Sequence, residues 1–300
     1  PFYSHAASQA DIPANEELEL LKEEETVSIA TRHEQPISQA PSNVYVITDE
    51  DIRHSGATDL PSVLRRVPGL DIMQVTGADF NVSARGDNQL FANKILVMVD
   101  GRSIYIDGEG LVFWKSLPVT LPEIKRIEVL KGPASVVYGF NAFDGVINII
   151  TRHSADTVGG ELGVTLGNNG IFDKRARVGG GNETASFRLS AGEQRDSGYQ
   201  NAYDNKRLSQ INGRVDLRPS LIDEVMLSSG VSYLAAGEGY SATHVGNPHH
   251  TIYSRDVYLL ADWRRQMAIN VDGVFLTVKY CIPAMRKFGN GGSVIMLSSV

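Results

Sequence analysis

Cysteine is almost missing from this chain. Cys281 is the only one in 300 residues, so no disulfide can form within it and its stability must come from elsewhere. Long apolar runs are missing as well: no stretch of about 18 apolar residues occurs, which excludes a membrane-spanning helix. That test is blind to membrane-spanning strands, whose apolar residues alternate with polar ones. An excess of positive charge is also lacking, because 28 Lys and Arg stand against 35 Asp and Glu and leave a formal −7. This argues against a general nucleic-acid binder. Metal-ligand patterns are absent in any strict form. His249-His250 near His244 is a pair in a polar stretch, and Asp100, Asp107 and Glu109 lack the ligand repeat and closing Glu of a calcium loop. Gly179-Gly180-Gly181 reads as a strand end or bulge, since no strand-to-helix context follows it to make a phosphate cradle. No metal and no cofactor is expected.

The most strongly patterned stretch is Ile124 to Arg152. Ile124, Ile127, Val129 and Leu130 supply a strand, Gly132-Pro133 stops it, a short helix and a Gly-rich turn follow, and Gly145 opens the apolar run Val146 to Ile150. Arg126, Glu128, Gly132, Pro133, Tyr138, Gly139, Ala142, Gly145 and Asn148 fall where the closing segment of a plug domain has its fixed residues. The stretch therefore resembles that of TonB-dependent outer-membrane receptors, with Asp144 as a departure from the small residue usual there. Upstream, Asn81 to Gly86, Ile95 to Arg102 and Phe113 to Pro118 are similar to further plug elements in the same order. Val44 to Ile47 reads as a strand, Thr48 caps a short helix rich in acid in its first turn, and Thr58 to Val67 reads as an amphipathic helix closed by Pro68-Gly69.

Ahead of this lies Glu25-Thr26-Val27-Ser28-Ile29-Ala30, a β-prone hexapeptide that is similar to the TonB box of the same family. A free strand can add to the edge of a partner's sheet and bear a pull along its axis, so the resemblance implies TonB as a partner. Ser4-His5-Ala6 has the small-x-small form of an export cleavage site, and the Glu-rich residues that follow read as a mobile leader. For Arg85, Arg126 and Glu128 the resemblance implies contacts between plug and barrel wall. A charge in such a dry interface needs a partner or costs several kcal/mol.

After Gly159 the pattern changes. Leu162, Val164 and Leu166, then Phe187, Leu189 and Ala191, and further sets on to Val257, Leu259 and Ala261 recur at period two. Arg218-Pro219-Ser220 makes a short turn, whereas Gly192 to Lys206 and Gly237 to His250 read as long polar loops. Short turns on one side and long loops on the other suit an outer-membrane barrel, of which five or six strands are expected here. The family closes about 22 strands, so by resemblance the wall is incomplete and an open edge in lipid would carry unpaired backbone groups.

From about residue 263 a helical run, a Gly-rich turn at Gly289 to Gly292 and the strand Val294 to Leu297 follow. This piece resembles an internal part of a short-chain dehydrogenase/reductase, with Asn270 and Ser299 in the places of two catalytic residues. By that resemblance both are vestigial, because the nucleotide-binding Gly loop and the Tyr-x-x-x-Lys pair that supplies the proton are missing. The expected chain is thus a chimera joined within residues 260–268 and not an enzyme, the alternative being a single-family receptor with an atypical C-terminal segment.

The expected organisation has five parts: residues 1–22 as signal remnant and leader, 23–39 as box and linker, 40–155 as an α+β plug with a mixed sheet and short helices, 156–262 as an incomplete antiparallel β-barrel, and 263–300 as a helix-strand piece of a Rossmann-like α/β fold. The resemblance implies an outer-membrane receptor for an external ligand such as an iron chelate, with no nucleic acid as partner.

Overall fold

Two compact units meet between Thr151 and Arg152. The structure, a computed structural model, describes residues 26–29, 35–40, 43–77, 79–86, 92–105, 110–139, 141–220, 223–237 and 251–265. The leader at 1–22 and the dehydrogenase-like residues from 266 onward, with Asn270 and Ser299, lie outside the described residues.

The first unit is built on β-branched runs. Its strands are β1 (Thr26–Val27), β2 (Gln35–Pro36), β3 (Val44–Thr48), β4 (Leu70–Gln74), β5 (Phe80–Ala84), β6 (Ile95–Val99), β7 (Arg102–Ser103), β8 (Ile124–Lys131) and β9 (Gly145–Thr151). Five of them form one mixed sheet in the order β3-β8-β9-β6-β7, in which β6 and β9 run parallel and the other neighbours antiparallel. The parallel pair joins Ile95–Val99, a continuous apolar run, to Gly145–Ile149, apolar but for Asn148, as strands covered on both faces require. Gly145 is needed there, since a Cβ would stand 2.5 Å from the Leu130 carbonyl oxygen. The pairs β4–β5 and β1–β2 stand as separate two-stranded ladders.

Among the described residues the unit has three short α-helices: α1 (Asp49–His54), α2 (Leu60–Leu64) and α3 (Ser135–Tyr138). At α1 the expected cap is present. Thr48 Oγ1 accepts from the Asp51 amide, and Asp51 Oδ2 accepts from the Thr48 amide and hydroxyl. That backbone hydrogen bond, more than any other contact, holds the Asp51 carboxyl below its ordinary value. The α2 helix is shorter than Thr58 to Val67, because Asp59 caps it by accepting from Ser62 and Pro61 fits only in the first turn.

One face of the five-stranded sheet packs Ile127, Val129, Ile147 and Ile149 against Ile52, Leu60, Val63 and Leu64 of the helices. Each such side chain contributes about 1.5–3 kcal/mol by leaving water. Lys115, 4% exposed, reaches Asp79 at 2.7 Å and ties the turn at 114–116 to the β4–β5 hairpin.

The second unit is an antiparallel meander of β10 (Gly159–Leu166), β11 (Phe172–Gly181), β12 (Ala185–Asp196), β13 (Lys206–Leu217), β14 (Asp223–Gly237) and β15 (Thr251–Arg265), paired in that order. Its sidedness is inverted relative to the first unit. Leu162, Val164, Leu166, Val257 and Leu259 stand bare on one face, while Ser186, Arg188, Ser190, Gln210, Asn212 and Asp216 are buried on the other. β15 continues through Trp263 to Arg265, opposite Val225, Glu224 and Asp223, so the strand pattern extends past residue 262.

Candidate functional site

The site grows from the other face of the five-stranded sheet. Side chains alternate along β8, so Ile127 and Val129 face the helices while Arg126, Glu128 and Leu130 face away. On that second face Leu96, Met98, Leu130 and Val146 form an apolar floor, extended by Ala134 and Ala142 from the turn around α3. Ile29 lies on this floor with no exposed surface, and Val27 beside it in sequence is equally buried. The β-prone segment at 26–29 is therefore docked. Its short ladder pairs Thr26 with Pro36 and Val27 with Gln35.

A buried carboxylate holds the segment in place. Glu128 is wholly buried, and its Oε2 accepts from the Ser28 amide at 3.0 Å, the Ser28 hydroxyl at 3.2 Å and the Ile29 amide at 2.8 Å. Its Oε1 accepts from Arg126 Nε at 2.8 Å. An unpaired carboxylate at this depth would be costly, and here both oxygens are occupied. Tyr138 closes the far side by donating its hydroxyl to the Ile29 carbonyl at 2.8 Å. The arrangement performs no bond chemistry. It grips the backbone of two residues.

Of the predicted site residues, the structure brings Val27, Ser28, Ile29, Arg126 and Glu128 together. Glu25 and Ala30 lie outside the described residues, and of Thr26 only the ladder pairing is described. Arg126 and Glu128 meet each other, and Glu128, mid-sheet opposite Val46 and Asn148, also holds the 28–29 backbone. Arg85 is exposed in a left-handed turn at φ 59°, followed by Gly86. Sequence reasoning missed Tyr138 as a contact. Its only signal was an aromatic placed between Gly132-Pro133 and Gly145.

The second unit holds a cluster shaped like a metal site, with ligand atoms of His153, Asp216 and Glu224 within 4.8 Å of one another. The donor set does not fit a metal. Asp216 already accepts from Arg214 at both oxygens and from the Ser154 amide, and His153 Nδ1 accepts from the Ala155 amide. His153 Nε2 faces Glu224 at 3.3 Å and Asp216 at 3.7 Å. These contacts, with Arg188 donating to the Arg152 carbonyl at 2.7 Å, fasten residues 152–157 to strands of their own unit.

Comparison with known proteins places this geometry. Residues 36–146 match the family model of the TonB-dependent Receptor Plug Domain. The vitamin B12 transporter BtuB of Vibrio vulnificus (strain CMCP6) is 36% identical over 145 residues, which cover 48% of this chain and 23% of that protein. The ferripyoverdine receptor of the outer membrane of Pseudomonas aeruginosa shares the fold with a TM-score of 0.62 at 16% identity, over 80% of this chain and 34% of its own. The ferric enterobactin receptor PfeA of the same organism, as its G324V mutant, gives 0.58 at 21% identity over 81% and 40%. The chain thus spans about a quarter to two fifths of the proteins it matches. Residues 36–146 are similar to a TonB-dependent receptor plug domain, and the relatives named here are receptors and transporters. A dehydrogenase piece or a chimera finds no support in these comparisons.

Proposed function

We propose that this chain supplies the plug and the first wall strands of a TonB-dependent outer-membrane receptor that takes up a scarce metal chelate, of the siderophore or corrinoid class, and that Glu25 to Ala30 is the strand TonB engages. The relatives support the ligand class by what their names say of them: vitamin B12 for one, ferric siderophores for others. The inverted sidedness of β10–β15, apolar outside and polar inside, is the arrangement lipid demands of a wall.

The observation that carries the reading is the docked strand. Its Ser28 and Ile29 amides are bonded to Glu128, so they are not free to add to a partner's sheet edge. Burial of Val27 and Ile29 together with hydrogen bonds to a charged acceptor favours the docked state by several kcal/mol, on the order of 1.5–3 for each group. A partner can engage the strand only after release, or by binding the released state more tightly than docking holds it. A ligand event on the far side that loosens the sheet would make the strand available.

The test is capture of this chain by the periplasmic domain of TonB. Val27→Pro removes an amide from the strand and fixes its backbone, and should abolish capture. Capture indifferent to this change would sink the assignment of the strand.

A further inference from the structure

The turn between β8 and β9 has two sides of opposite character. On one, Ala134 and Ala142 extend the floor under Ile29, and Tyr138 donates its hydroxyl to the Ile29 carbonyl. On the other stand Val136, Val137 and Phe143. Val136 is fully exposed, and Phe143 is 61% exposed. Among the described residues of the first unit five large apolar side chains are exposed, and these are three of them. No charged residue occurs from Gly132 to Phe143, so the lobe is apolar without interruption.

Hydrogen bonds hold this lobe in a fixed shape. The Ala134 carbonyl accepts from the Val137 and Tyr138 amides at 3.0 Å, and the Ala142 carbonyl accepts from the Ala134 amide at 2.9 Å and the Ser135 hydroxyl at 3.1 Å. The Phe143 and Asp144 amides donate to the Lys94 carbonyl at 3.1 and 2.9 Å, which ties the turn to the start of β6. Bare apolar side chains on a braced backbone gain nothing in water, and they have little freedom left to lose when a second surface covers them.

We propose that Val136, Val137 and Phe143 are a second foothold for the periplasmic domain of TonB, covered by an apolar patch beside the sheet edge that takes the strand. The inference rests on the reading of Glu25 to Ala30 as the strand TonB engages. Position selects this occupant. One turn both clamps Ile29 and presents the lobe, so a domain seated on the released strand stands next to it. The lobe is also open while Glu128 still holds the Ser28 and Ile29 amides, so the foothold is available before the strand is. Two linked contacts then raise each other's effective concentration, which keeps the partner near a strand that is only intermittently free.

Titration of this chain in detergent with the periplasmic domain of TonB tests this, with amide exchange at Ile29 followed in parallel. The Val136→Ser, Phe143→Ser double variant should bind roughly tenfold more weakly than native chain. Exchange at Ile29 should stay at its native rate, because the clamp is untouched. Equal binding of native chain and double variant, with binding still lost in Val27→Pro, overturns the foothold and leaves the strand assignment standing. Weaker binding accompanied by altered exchange at Ile29 places the effect in the clamp and overturns the foothold as well. Native chain that sediments as a dimer, dissociated by the double substitution, assigns the lobe to a second copy instead. Binding indifferent to Val27→Pro removes the strand reading, and the foothold with it.

Discussion

The two units solve opposite burial problems with similar strands. In the first, β8 and β9 hide Ile127, Ile147 and Ile149 completely, and helices and a docked strand cover the two sheet faces. In the second, Leu162 and Leu259 are 86% and 77% exposed while Ser186, Asn212 and Asp216 are buried. A sheet that hides its polar side and bares its apolar one has no gain to make in water. The contrast is the one the proposed function calls for: a first unit covered on both sheet faces, and a second whose bare apolar face would meet lipid.

That contrast can be broken by truncation at equivalent residue types. Ile149→Ala in the first unit should cost about 2–5 kcal/mol in urea unfolding followed by Trp114 fluorescence. Leu259→Ala in the second should change it by less than about 0.5 kcal/mol. Similar losses at both sites would show that the bare face is covered after all. A charge sharpens the same point in lipid: Leu189→Arg should disfavour vesicle insertion by about 2–4 kcal/mol, a penalty that charges at the Lys174 and Arg195 end do not carry.

Smaller effects probe the first unit alone. Burial pushes the Tyr105 hydroxyl up to about 12 from 10.0, and among the described residues it has no hydrogen-bond partner. A raised value means that the folded state favours the neutral form. Its contribution is whole below pH 10 and is lost as pH rises towards 12, by about 2 kcal/mol or less. Tyr105→Phe should remove that loss from an alkaline stability curve. Tyr138→Phe, which deletes the bond to the Ile29 carbonyl, should cost about 0.5–1.5 kcal/mol and speed exchange at the Ile29 amide.

Much of the first unit was legible because its signals are local. The Gly132-Pro133 stop, the Thr48 cap and the apolar run after Gly145 each report on neighbours in sequence, and each element formed where expected. The second unit was legible only where its outward residues are apolar. The strand Phe172–Gly181 was passed over because Lys174, Arg175 and Arg177 break the hydrophobic alternation, and β12 runs on through Glu193 and Arg195 to Asp196 where a loop was expected. Of these charges Lys174, Glu193 and Arg195 lie on the outward face, where they interrupt the apolar alternation. Docking of residues 27–29 was not legible, since its anchor Glu128 lies 100 residues from Ser28 and no periodicity links the two.

The claim that most depends on geometry is that docking by Glu128 competes with capture by TonB. Glu128→Gln weakens the acceptor for the Ser28 and Ile29 amides and leaves the strand's own sequence intact. If docking withholds the strand, this variant should bind the periplasmic domain of TonB more tightly than native chain, by about tenfold for each 1.4 kcal/mol of docking lost. Titration of both forms by calorimetry decides it. Unchanged or weaker binding by the variant would contradict the account.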